Sequence, residues 1–131
     1  MMPCKRASWR GWKRPARPGV KSSSVCGAMW QTLNQRGFTA SNPHGHGIGL
    51  ELRDYPTIVA DNGLRIRDDC VDVPSDLALK KNMVFNLEAS MFMPGVASLQ
   101  VEYSFVATDD GCRFLVPQNR RQPFLANLSP E

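Results

Sequence analysis

No acidic residue stands upstream of His46 in this 131-residue chain. No apolar run approaches the ~18 residues of a membrane-spanning helix, and no apolar leader core follows the basic start. Those absences speak against a membrane protein and a secretory leader, and the expected setting is soluble and cytoplasmic. The four cysteines, Cys4, Cys26, Cys70 and Cys112, form no CxxC pair. A thiolate zinc site or a disulfide framework is therefore not expected, and the cysteines read as reduced thiols. Histidine is confined to His44 and His46.

What is present is unevenly spread. Residues 1–21 carry Lys5, Arg6, Arg10, Lys13, Arg14, Arg17 and Lys21 and no acid, a net charge of +7. The remaining 110 residues hold nine basic and twelve acidic side chains, so the body is −3 and the overall +4 belongs to the tail. With Pro3, Pro15, Pro18 and two tryptophans, that tail has no clear periodicity. Its codon-biased composition reads as a misread or truncated start; phosphate contacts and base stacking on nucleic acid, or a transit peptide, are lesser readings. The expected organisation is a basic tail over 1–21, one partial domain over 22–121 and an irregular tail over 122–131.

Order begins at Ser22. Ser22–Ser24 offer N-caps, Val25, Met29 and Leu33 recur every four residues, and Gly37 is a stop signal, which predicts a helix over about 24–36. Residues 38–52 read as a glycine-rich extended run. Asp61-Asn62-Gly63 marks a turn, Leu64–Arg67 alternates like a short strand, and residues 75–81 suggest one helical turn. In Met83–Met93, Met83, Phe85, Leu87, Ala89, Met91 and Met93 share one face, with Val84, Asn86, Glu88, Ser90 and Phe92 on the other. In Ser98–Val106, Leu99, Val101, Tyr103 and Phe105 oppose Ser98, Gln100, Glu102 and Ser104. Both are strands with one apolar side. Pro94-Gly95 turns the chain between them, and Asp110-Gly111 turns it again into Arg113–Val116, giving an antiparallel meander.

A fold about residue 95 places Glu88 and Glu102, seven residues to either side, directly opposite each other. Opposed cross-strand Cβ atoms are roughly 4.5–5.5 Å apart. Two carboxylates that close repel unless a proton or a cation lies between them. The solvated alternative has the acids splayed into water. His46 adds a nitrogen donor, and Gly45, Gly47 and Gly49 clear side chains from around it so that backbone or ligand can approach. One imidazole with two carboxylates suits Mn, Co, Fe or Zn.

Together, Gly45-His46-Gly47-Ile48-Gly49, Met83–Glu88, Pro94-Gly95, Val101-Glu102 and the terminal Val106–Gly111 resemble the C-terminal half of the pita-bread metallohydrolases. These include methionine aminopeptidase, aminopeptidase P, prolidase and creatinase. The resemblance covers about Val25–Arg121, and the spacing of the two glutamates fits the prolidase-like members. It implies an α+β fold: part of a curved antiparallel sheet with flanking helices. It implies a dinuclear site hydrolysing a C–N bond, such as the peptide bond beside proline. His46, Glu88 and Glu102 would be metal ligands, Glu102 the bridging carboxylate, and Glu88 and His46 the catalytic residues, with Glu88 passing a proton to the leaving nitrogen.

Three departures qualify the resemblance. The family takes two aspartate ligands from upstream of the histidine, where this chain has none; Asp61 and Asp72 have a pair-like spacing but follow it, so they read as coincidence. The resemblance thus implies a fragment inactive by itself, which needs the other half of the fold or a second copy of itself. Arg53 replaces the usual second histidine and can clamp a substrate carboxylate, or else pair with a nearby acid such as Asp54. A clamp favours a small carboxylated substrate or a non-peptidase branch of creatinase type, where the resemblance otherwise implies a peptide; His44 lies near the site too, either to touch substrate or to serve the structure. Finally, Ala89, Gln100 and Tyr103 stand where Pro, Arg and Asp are common. A metal-free module binding peptides or a partner chain is the alternative of another class.

Overall fold

The computed structural model describes residues 16–38 and 41–116. Most of the basic tail and all of the C-terminal tail lie outside these residues. In chain order come α1 (Ser22–Asn34), β1 (Ser41–Gly47), β2 (Asp54–Ile58), β3 (Arg65–Asp68), β4 (Val71–Pro74), β5 (Val84–Met93), β6 (Ala97–Thr108) and β7 (Gly111–Phe114). Five strands form one antiparallel sheet in the order β2-β1-β5-β6-β7, and β3 pairs with β4 alone. This is the expected α+β architecture, with one flanking helix among the described residues.

The β5–β6 hairpin follows from its alternation. Residues 94–96 connect the strands, and Gly95 takes the left-handed backbone (φ 74) that glycine adopts without strain. The register pairs Met93 with Ala97 and therefore Glu88 with Glu102. On the apolar face Phe85, Leu87 and Ala89 meet Phe105 and Ala107 of β6, Phe114 of β7, Ile58 of β2, and Val25, Cys26, Met29 and Leu33 of α1. Phe85 and Phe105 stack with ring centroids 5.9 Å apart, and Phe105 lies 4.3 Å from Phe114. The Cys26 thiol is part of this packing. It donates to the Pro43 carbonyl at 3.4 Å, and burial pushes its pKa up, so it behaves as a small apolar side chain.

The first turn of α1 is capped from far along the chain. Lys21 is the N-cap position and makes no side-chain cap bond. Asp76 instead accepts from the Ser23 backbone N–H at 2.9 Å and from the hydroxyls of Ser23 and Ser22 at 2.9 and 3.0 Å. Lys21 Nζ adds an ion pair at 3.4 Å. This overturns the expected helical turn over 75–81. That segment runs beside residues 19–22, with a bridge between Lys21 and Ala78 and bonds from Ser22 N to Leu77 O and from Leu79 N to Val20 O. Its backbone groups are satisfied across the chain rather than along it, so no helix forms. Strands β2 and β4 were not expected; each is short and contains a proline, which weakens a strand signal. The last hairpin turns at Asp109-Asp110, one residue earlier than its sequence signal, with Gly111 already paired to Thr108.

Candidate functional site

Register brings the polar side chains together. His44 stands opposite Glu88 and His46 opposite Asn86 across β1–β5, while Asn86 faces Ser104, Glu88 faces Glu102 and Ser90 faces Gln100 across β5–β6. All eight therefore lie on the sheet face away from the aromatic core. That face is not solvated where it meets β1: Glu88 is only 2% exposed, and His46, Asn86 and Ser90 are also buried.

The glycines explain how β1 fits so close. A Cβ at Gly45 would overlap the Asn86 carbonyl oxygen, one at Gly47 the Tyr55 carbonyl, and one at Gly49 the Asp54 carboxylate. The room they leave is filled by backbone at Gly45 and Gly47 and by an acid side chain at Gly49, not by a free cavity.

His46 is fixed by two acceptors. Its Nδ1 lies 2.9 Å from the Gly47 carbonyl oxygen, and its Nε2 lies 3.1 Å from Glu88 Oε1. A carbonyl only accepts, so Nδ1 carries a proton. In the neutral ring Nε2 then presents a lone pair to a carboxylate oxygen, an arrangement that calls for a second proton or a cation. At 3.1 Å the two groups are in direct hydrogen-bond contact. The second oxygen of Glu88 receives His44 Nε2 at 2.9 Å and Gln100 Nε2 at 2.8 Å.

The full expected set does not converge. Among the described residues no group of three or more His, Cys, Asp or Glu side chains is placed to hold an ion. Glu102 is taken up by amides, Oε2 by Asn86 Nδ2 at 3.0 Å and Oε1 by the same Gln100 Nε2 that binds Glu88. Ser90 and Ser104 complete the ladder through Gln100 Oε1 at 3.2 Å and Asn86 Oδ1 at 3.3 Å. The described residues therefore do not by themselves complete a two-ion centre. Asp61 and Asp72 do not supply the lack: Asp61 caps its own turn at Gly63 N, and Asp72 pairs with Arg65 at 2.6 Å.

An open cleft of about 590 Å³ fronts the ladder; its lining includes His46, Asn86, Glu88 and Glu102 together with Ile48, Leu52, Arg53 and Val116. Arg53 is exposed there and makes no ion pair among the described residues; the Asp54 carboxylate instead accepts from Tyr55 N at 2.8 Å. Asn86 and Gln100 were missed as site residues. The available signal was their place two residues from Glu88 and Glu102 on the same strand face.

A family model described as metallopeptidase family M24 matches residues 3–109. The chain belongs to metallopeptidase family M24. Relatives in the family include an Xaa-Pro dipeptidase of Lactobacillus delbrueckii subsp. lactis, 30% identical over 98 residues, which are 73% of this chain and 23% of that protein. A probable dipeptidase PepE of Mycobacterium bovis is 33% identical over 97 residues, covering 72% of this chain and 22% of the relative. Dipeptidase PepE from Mycobacterium ulcerans superposes with a TM-score of 0.64 at 28% identity, over 83% of this chain and 26% of that one. Prolidase from Pyrococcus furiosus gives 0.64 at 21% identity over 85% and 30% and speaks to the fold alone. The sheet is thus the C-terminal part of the M24 pita-bread fold, and the chain spans less than a quarter of the length of these two sequence relatives.

Proposed function

We propose that this chain supplies the imidazole and carboxylate side of an M24 centre that hydrolyses Xaa-Pro dipeptides, and that it does not hydrolyse them by itself. The observation that carries this reading is the His46–Glu88 pair, a ring held by the Gly47 carbonyl with its other nitrogen 3.1 Å from an oxygen of a buried carboxylate. His46, Glu88 and Glu102 are the ligands for a divalent ion of the Mn, Co, Zn or Fe type. Two ions need further carboxylates, and none precedes His46 here.

The chain's own residues have separable roles. Arg53 binds the peptide carboxylate in the cleft and the apolar part of the lining takes the peptide's side chains. His44 orients Glu88 through its second oxygen, and Glu88 handles the proton at the scissile nitrogen. The name of the Lactobacillus relative supports the substrate class. The exposed Arg53 also suits a small carboxylated substrate of a non-peptidase, creatinase-like branch. A second reading, a metal-free peptide-binding module, is favoured by the amide that joins Glu88 to Glu102.

Calorimetry with Mn2+ on the full chain and on Glu88→Gln separates these readings. Weak binding by the wild type and none by the variant is expected, with no turnover of an Xaa-Pro dipeptide by either. Equal binding by both overturns the ligand assignment and leaves the metal-free module. Turnover by the wild type overturns the claim that the chain is inactive alone.

A further inference from the structure

Gln100 sits where two acids would otherwise face each other unshielded. Its side chain leaves an exposed strand position on β6 and reaches diagonally across to β5. One nitrogen serves both carboxylates, bonding Glu88 Oε2 at 2.8 Å and Glu102 Oε1 on its own strand. The orientation is determined by chemistry. Ionised carboxylates only accept, so the NH2 end must face them, while the carbonyl end meets Ser90 Oγ, which can donate. Both amide hydrogens and the amide oxygen are thereby used. Glu88 is also bonded by His44 and His46, so this carboxylate is held entirely by groups of the chain.

We infer that Gln100 acts as a neutral stand-in for a cation: its amide bridges Glu88 and Glu102, and a metal ion entering between them must displace it. Gln100 is a positioning residue, acting through the two glutamates. The inference rests on the reading of those glutamates as metal ligands and adds a built-in competitor for the ion.

The test compares the full-length wild type, Gln100→Leu, and Gln100→Leu combined with Glu88→Gln. Mn2+ affinity is read by calorimetry and melting temperature is read in chelator and in Mn2+. Removing the donors leaves the carboxylates unbridged. Gln100→Leu should therefore bind Mn2+ roughly tenfold or more tightly than the wild type, melt lower in chelator, and recover in Mn2+. The added affinity should vanish in the double variant. The exposed position favours folding of the variant, and Gln100→Asn, whose shorter amide cannot reach both acids, should move affinity the same way. Unchanged or weakened Mn2+ binding in both single variants overturns the inference, weakened binding meaning that Gln100 organises the ligands rather than replacing the ion. This outcome is separate from failure of the ligand reading, which appears as a wild type indistinguishable from Glu88→Gln.

Discussion

At the scale of single residues, the glycines around His46 were the most legible part of the site. Alternating glycine beside a histidine signals close approach, and the structure identifies what approaches. Gly45 lies opposite Leu87, and a methyl group there would meet the Asn86 carbonyl, the Leu87 side chain and Ile58. Two of these are core side chains and the third is ladder backbone, so relief requires β1 to shift against β5. Gly45→Ala should therefore lower stability by about 1–3 kcal/mol, read as a fall in denaturation midpoint. It should also loosen His46 from Glu88, reducing Mn2+ binding. An unchanged midpoint would mean that β1 is not held against β5 in this way. The role of Gln100 was not legible, because a glutamine on the polar face of a strand has the same pattern as any solvated residue. Only the diagonal geometry of a paired sheet, with the amide between two acids, distinguishes it. The burial of Glu88 was equally hidden: its own strand marks it as polar and outward, and the covering comes from β1.

At the scale of elements, the β5–β6 register could be derived in advance, since a turn centred on residue 95 and period-two alternation leave one pairing that keeps the apolar face together. The helix start was legible only in part. Ser22–Ser24 were visible as capping residues, but the acceptor is Asp76, more than fifty residues away, and no local pattern connects them. Burial raises the Asp76 pKa, but the bonds from Ser23, Ser22 and Lys21 outweigh it and leave the carboxyl below its ordinary value. A carboxyl depressed in the folded state stabilises that state above its unfolded pKa of about 3.9. The contribution is lost as pH falls through the lower folded value, where both states are protonated. Asp76→Asn should thus destabilise the chain at neutral pH by about 1 kcal/mol. The difference from the wild type should shrink steadily as the pH of the melt is lowered below 4. A gap that stays constant down to the acid limit would assign the loss to packing instead of charge.

At the scale of the whole molecule, the apolar face of the sheet is longer than its cover. Phe85, Leu87 and Ala89 are buried, while on the same face at the far end of the hairpin Leu99 is 51% exposed, and Val96 in the turn beside it is 79% exposed. Leu50, and Leu52 in the lining of the cleft, are likewise bare. Apolar surface gathered at one end of a sheet marks a place where something packs, and the sequence anticipated it because Leu99 alternates in phase with the buried Phe105. The chain spans less than a quarter of the length of its sequence relatives in the family, so the surface those proteins carry beyond the matched region is not supplied by the matched residues. In solution the nearest available cover is a second copy. Sedimentation should therefore show a weight-average mass that rises with protein concentration. Val96→Glu with Leu99→Lys should abolish the rise, because charges at the exposed end oppose burial without touching the core. The double variant should retain the wild-type melting temperature at low concentration, where the wild type is also dissociated. Concentration-independent monomers of the wild type would show that the bare end of the hairpin is tolerated in water. If the double variant associated as strongly as the wild type, the contact would be elsewhere, with Leu50 and Leu52 as the next residues to charge.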